Sequence, residues 1–225
     1  MIPVIWRNDV AAVVVKPEGL ATQAPAPHAS LETLLRVQFA TQSGYMAFPH
    51  RLDRPVSGLI LVAFTKRAAR LLSEQFEARR VRKTYLALVQ HCVKDDSATW
   101  TDHLRKIDDR ARVEVVTCNE LAVKPDVKLA ELQMQVIRKY DTTTLIELRP
   151  FTGRMHQIRV QTAARGHAII GDALYGSERS CAGLVDGGIA LQASRLEFYD
   201  PTSGRKIIVS APPAAWQDAL NQPQQ

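Results

Sequence analysis

The amino-acid sequence predicts an α+β fold in a single domain, residues 1–225, and three observations carry that expectation. Apolar runs of strand length recur along the whole chain. Only three segments place apolar residues at helical spacing, and they do not alternate regularly with the strands, which argues against a parallel βαβ array. No repeat, low-complexity linker or break in composition divides the chain.

The elements follow in order. "VAAVVV" (Val10 to Val15) reads as a buried strand stopped by Pro17 and Gly19. "ATQAPAPH" is a loop, after which Ser30 caps a helix with Leu31, Leu34, Leu35 and Phe39 on its apolar side. "GLILVAF" (Gly58 to Phe64) is almost continuously apolar, so it reads as a strand covered on both faces. Thr65 caps the second helix, where Ala68, Ala69, Leu71, Leu72 and Phe76 recur at helical spacing. "TYLALVQ" is a further strand. From about Lys94 to Lys128 the chain turns polar, with strand pieces such as "RVEVV" that predict hairpins or an excursion. "ELQMQVI" and "TLIELRP" alternate as an antiparallel pair across the turn at Tyr140 and Asp141. "TGRMHQIRVQTAARG" predicts a helix opened by Thr152 and closed by Gly166. Two last strands flank the turn "DPTSG", and "NQPQQ" reads as a frayed end.

Composition narrows the class. Hydrophobic residues are 46% and charged residues 23%, ordinary for a globular chain. The 29 Lys+Arg exceed the 23 Asp+Glu to give +6, which favours a polyanionic partner. Cys92, Cys118 and Cys181 are odd in number, far apart and without a C-x-x-C pair. Neither a zinc site nor a disulfide framework is indicated, and a reducing cytoplasm fits. The first apolar run is too short and wrongly flanked for a signal peptide or a membrane span.

Three segments carry chemistry. In "HRLDRPVSG" Asp53 stands between Arg51 and Arg54, and neighbouring positive charge favours an ionised carboxylate. Such a group can attack or stabilise a developing cation, or simply pin a turn through an ion pair. In "ARRVRKTYLALV" the cations Arg79, Arg80, Arg82 and Lys83 complement a helix C-terminus, and Tyr85 follows at a strand's start. Its ring can stack on a base or fill the core. In "RPFTGRMHQIRV" the predicted helix start collects Arg154, His156 and Arg159, either an anion site or solvated charge. His50 and Asp53 lack a third ligand at metal-binding spacing, so no metal is expected.

Together these segments resemble the RluA-like family of RNA pseudouridine synthases along nearly the whole chain. "VVVKPEGLATQAP" resembles the family's first motif, "HRLDRPVSGLILVAFTK" the aspartate motif, "VRKTYLALV" the tyrosine motif, and "RPFTGRMHQIRVQTAARGHAIIGDALYG" the long third motif. Their shared order and spacing make the resemblance specific. It implies the pseudouridine synthase fold, a long, curved, mainly antiparallel sheet with flanking helices and a central RNA-binding cleft. It also implies isomerisation of a uridine in rRNA or tRNA to pseudouridine, without cofactor or metal.

By the same resemblance Asp53 is the catalytic carboxylate, Arg159 its charge partner, and Tyr85 the ring against the target base. Arg51 corresponds to the side chain filling the gap left by a flipped nucleotide, a step costing a few kcal/mol of stacking. Arg54, Lys16, Arg82, Lys83, Arg154 and His156 are implied RNA contacts. Gln161 and Gln192 stand where many relatives carry histidine. The chain starts almost at the first motif, so no S4-type RNA-binding domain is expected before it. Recognition would then fall to the catalytic domain, acting as a monomer on a short stem-loop. The competing expectation is a non-catalytic RNA-binding or folding factor on the same scaffold.

Overall fold

The computed structural model describes residues 1–25, 27–40, 44–107, 111–117 and 126–220. In chain order its elements are β1 (Val4–Arg7), β2 (Ala11–Lys16), α1 (Leu31–Gln38), β3 (Ser57–Ala63) and α2 (Lys66–Glu77). Then come β4 (Arg82–Gln90), β5 (Ser97–Lys106), β6 (Val113–Val116), β7 (Lys128–Lys139) and β8 (Thr143–Pro150). The last are α3 (Gln157–Ala163), β9 (Leu191–Tyr199), β10 (Lys206–Ser210) and α4 (Ala215–Leu220). Neither β1 nor α4 was anticipated. Cys118, part of the 94–128 excursion and the end at 221–225 lie outside the described residues.

The chain divides into two compact units. The first is Met1–Lys83 with Val185–Gly188 and Gln192–Gln225; the second is Thr84–Leu184 with Ile189–Leu191.

In the first unit β2 runs antiparallel to both β1 and β3. β3 meets β9 in parallel, Ser57 against Gln192 and Gly58 against Ala193, and β10 runs antiparallel to β9. The apolar runs form strands because both faces are covered: every residue of β3 is buried. α2 lays Ala68 and Leu72 on a core of Val13, Leu59, Leu61, Leu196 and Phe198. Its predicted cap is present, with the Thr65 hydroxyl accepting the Ala68 N–H at 3.1 Å. α1 opens on Ser30 with a reciprocal capping box to Thr33. Leu31 and Leu35 are buried there, whereas Leu34, expected on the same side, faces solvent.

In the second unit β4, β8, β7, β5 and β6 pair antiparallel in that order. The polar excursion therefore contains a ten-residue strand, β5, paired on both sides. The turn at Tyr140 joins β7 to β8 as the alternation required. Leu104, Val113, Ala130, Val160 and Tyr175 form one buried cluster of this unit.

α3 corrects the sequence reading. Its cap is His156, four residues after Thr152, and it spans only Gln157–Ala163. The Thr152 hydroxyl is engaged elsewhere, accepting the Glu131 N–H at 2.9 Å and donating to Gln157 Oε1 at 2.8 Å. Arg154 therefore lies in the preceding loop, and its Nε donates to the Leu129 carbonyl at 2.9 Å. The expected anion-attracting helix start carrying Arg154, His156 and Arg159 on one element does not form.

Candidate active site

In the first unit the turn bearing Asp53 is fixed residue by residue. His50 opens it: Nε2 accepts the Leu61 N–H at 3.0 Å, and the ring stacks at 4.8 Å on Phe76. Burial, with the Lys83 charge nearby, lowers the His50 pKa to about 3. The imidazole is therefore neutral, as an accepting Nε2 requires. Leu52 is buried and clamped by one hydroxyl: Thr22 Oγ1 accepts its N–H at 3.2 Å and donates to its carbonyl at 3.0 Å. The Asp53 carbonyl accepts the Val56 N–H at 3.1 Å. Arg54, exposed, sends Nε to the Gly19 carbonyl at 2.9 Å.

Lys16 overturns one expectation. It was expected to reach an RNA phosphate, but its exposure is 0%. Nζ donates to the carbonyls of Pro17 at 2.8 Å, Leu20 at 2.6 Å and Arg54 at 3.2 Å. Three acceptors match the three N–H groups of an ammonium. Burial pulls its pKa down to about 7, opposed by the negative charges of Asp53 and Glu18. Lys16 is thus a strut beneath the turn, coupled electrostatically to Asp53.

The turn feeds β3 through Gly58, at φ +118°. A Cβ there would meet the Ala193 carbonyl oxygen at 2.4 Å, so only glycine permits the parallel contact with β9. Arg51 and Arg82 are exposed, and Lys83 is half-buried with Nζ 5.9 Å from the Phe76 ring centre. Burial lowers the Lys83 pKa.

In the second unit Tyr85 lies on β4, buried, opposite Leu148 of β8. Arg159 is 5% exposed and forms a two-pronged ion pair with Asp172, itself 2% exposed. Nε reaches Oδ2 at 2.7 Å and Nη2 reaches Oδ1 at 2.8 Å. Its guanidinium carbon also lies 5.1 Å from the Tyr175 ring centre. The Tyr175 hydroxyl accepts the Val113 N–H at 2.9 Å and bonds His156 Nδ1 at 2.9 Å. His156 occupies the left-handed region at φ 51°, a position a non-glycine residue takes with strain. This cluster is a fixed, buried ion pair, so Arg159 is not the solvated charge its sequence context also allowed.

Asp172 escaped the sequence reading. Its one signal is an acidic residue inside the otherwise apolar and small stretch "HAIIGDALYG". Thr22 left no signal at all. Gln161 and Gln192 are both buried and bonded within their own units: Gln161 Nε2 to Asp102 at 2.6 Å, Gln192 Nε2 to the Pro212 carbonyl at 3.0 Å. Among the described residues no group of three His, Cys, Asp or Glu is disposed to hold a metal ion. No described helix is long and apolar enough to cross a membrane.

The family described as RNA pseudouridylate synthase matches residues 10–164. The tRNA pseudouridine synthase C of Pectobacterium carotovorum subsp. carotovorum is 34% identical over 99% of this chain and 62% of its own length. The ribosomal large subunit pseudouridine synthase C of Vibrio cholerae is 31% identical over 93% of this chain and 65% of its own. The chain thus spans less than two thirds of either relative. Among solved structures, human RNA pseudouridylate synthase domain containing 1 superposes with a TM-score of 0.76 at 26% identity, covering 95% of this chain and 84% of that one. Human RNA pseudouridylate synthase domain containing 4 shares the fold, with a TM-score of 0.76 at 21% identity over 97% and 91%.

Proposed function

The chain belongs to the RNA pseudouridylate synthase family, and on that premise we propose that it isomerises uridine in rRNA or tRNA to pseudouridine, with Asp53 as the catalytic carboxylate. One observation carries the reading. Asp53 sits half-buried on a turn whose neighbours are clamped by Thr22, Lys16 and Gly19, inside the family-matched segment. An immobilised carboxylate is what attack on, or stabilisation of, an anomeric carbon requires.

The proposed reaction breaks the N1–C1′ bond, turns the base, and joins C5 to C1′. The C5 proton is released and N1 gains one, so substrate and product are isomers. Positive charge builds at C1′ as in glycoside hydrolysis, but the uracil leaves with its own negative charge. A second carboxylic acid is then unnecessary. In this reading Arg159 supports the charged carboxylate and Tyr85 packs against the base. Arg51 fills the vacated stack, and Arg54, Arg82, Lys83, Arg154 and His156 contact the RNA. Residues 1–225 act as one catalytic domain, a cytoplasmic monomer acting on a stem-loop.

Carbodiimide mapping of rRNA and tRNA incubated with the protein tests the reading. New pseudouridine stops that vanish with Asp53→Asn support it. Unchanged uridine in every RNA tried, or equal activity of Asp53→Asn, overturns it.

A further inference from the structure

A pocket of about 250 Å³ opens in the first unit, lined by Arg79, Arg80, Arg82, Tyr199, Lys206 and Glu197. Its walls are fixed. α2 ends in a Schellman turn, in which the Arg79 N–H reaches the Phe76 carbonyl at 3.1 Å and the Arg80 N–H the Gln75 carbonyl at 2.8 Å. Gln75 then staples that helix end to β9: its side-chain amide donates to the Tyr199 carbonyl and accepts the Tyr199 N–H, both at 2.8 Å. β10 lies alongside, with Lys206 opposite Tyr199.

The lining is cationic. Glu197 is its one carboxylate, and it is already engaged by Lys206 Nζ at 2.7 Å and Arg195 Nε at 3.3 Å. The hydrogen bond from Lys206, above all, holds that carboxyl below its ordinary range. The Arg80 guanidinium carbon lies 4.6 Å from the Tyr199 ring centre. Stacking through the flat face leaves a guanidinium's in-plane N–H groups available to an anion.

Cations beyond a helix C-terminus also complement its dipole and need no ligand for that. Arg79 is not explained so simply. It occupies the left-handed position of the Schellman turn at φ 54°, which glycine adopts without strain and arginine does not. A strained residue at the rim of a cationic pocket points to a use for its side chain.

We propose that this pocket is a phosphate site that grips a backbone phosphodiester of the bound RNA. The inference rests on RNA being the substrate. It adds an anchor of Arg79, Arg80, Tyr199 and Lys206 outside the Asp53 turn. Phosphate contacts fix register and supply salt-dependent affinity without reading sequence.

The test is fluorescence anisotropy of a labelled oligouridine of about 16 nucleotides, titrated over a range of KCl. Arg79→Gly, Arg80→Ala and the control Arg70→Ala on α2 are compared with the unaltered chain. Arg79→Gly should weaken binding about fivefold and flatten the salt slope by about 0.7. It should also raise the melting temperature, since glycine suits the turn. Arg80→Ala should weaken binding similarly, and Arg70→Ala should leave it unchanged. Equal affinity in Arg79→Gly and Arg80→Ala overturns the proposal. So does equal weakening by Arg70→Ala, which would mean net charge alone. Thermal stabilisation by inorganic phosphate, lost in Arg79→Gly, without oligouridine binding would overturn the RNA assignment in favour of a free anion. Pseudouridine formation is read separately: its absence in the unaltered chain defeats the isomerase reading whatever the anisotropy shows.

Discussion

Around Asp53 the chain is fixed through its backbone, whereas around Arg159 it is fixed through side-chain charge. Thr22, Lys16 and Arg54 all bond main-chain groups of the turn or its neighbouring loop, so the constraint is spread over several modest hydrogen bonds. Arg159 is held in a buried ion pair with Asp172, with the Tyr175 ring beside its guanidinium. The first arrangement holds the turn that carries Asp53 still through main-chain contacts. The second relies on a buried ion pair, and removing one member of such a pair is costly. The two regions should therefore fail differently when altered.

The largest effect is expected at Asp53 itself. Asp53→Asn should reduce pseudouridine formation by at least about 10³-fold, the scale of a lost proton-transfer or nucleophilic group. Its urea midpoint should stay close to that of the unaltered chain, because the clamps act on the backbone. A midpoint falling with activity would show that the carboxylate holds the turn, and the contrast between the regions would dissolve.

Asp172→Ala comes next. Removing the carboxylate paired with the buried Arg159 guanidinium should destabilise the fold by about 3–5 kcal/mol, read by urea unfolding. Asp172→Asn keeps an acceptor and should cost less. By comparison, the exposed Arg36–Glu32 pair should contribute no more than about 1 kcal/mol. If Asp172→Ala cost as little as Glu32→Ala, the charge-based account of the second region would be wrong.

The same contrast explains what could be read from the sequence. Strands β2 and β3 and helices α1 and α2 are local statements: unbroken apolar runs, and Ser30 or Thr65 ahead of helical spacing. The start of α3 was misread because Thr152 looks like a cap, yet its hydroxyl is engaged by Glu131, 21 residues away. Lys16 ends an apolar run and so reads as a solvated cation. Only the folded chain gathers carbonyls from Pro17, Leu20 and Arg54 around it. Asp53, Tyr85 and Arg159 stood out as motif residues, but what supports them, Thr22 and Asp172, lies 31 and 13 residues from the group supported. Tertiary hydrogen bonds at such separations leave no periodicity to detect.

Thr22→Val probes the backbone clamp with a smaller effect. It preserves shape but removes the hydroxyl serving both polar groups of Leu52, leaving a buried N–H unmet. A loss of about 1–3 kcal/mol is expected, together with reduced turnover at unchanged RNA affinity, because the turn loosens and the phosphate contacts remain. Weakened RNA binding with full turnover would place Thr22 outside the catalytic turn.

The smallest effect is a pH dependence at His50, where the clamp is an accepting imidazole nitrogen. Its pKa is about 3 when folded, against an ordinary 6.5. Between those values the unfolded chain binds a proton that the folded chain refuses, so stability rises with pH across that window. The contribution is complete above pH 6.5 and is lost progressively as pH falls toward 3. Its slope cannot exceed about 1.4 kcal/mol per pH unit, and partial exposure of the ring reduces it. Carboxylates also titrate in acid, so the informative quantity is the difference between the unaltered chain and His50→Gln, whose side chain can accept the Leu61 N–H without titrating. Urea unfolding from pH 7 to 5 should show a gap that narrows by about 1 kcal/mol as pH falls. A constant gap would mean that His50 accepts its proton in place, and that the turn is held at this end by stacking on Phe76 instead of by the nitrogen lone pair.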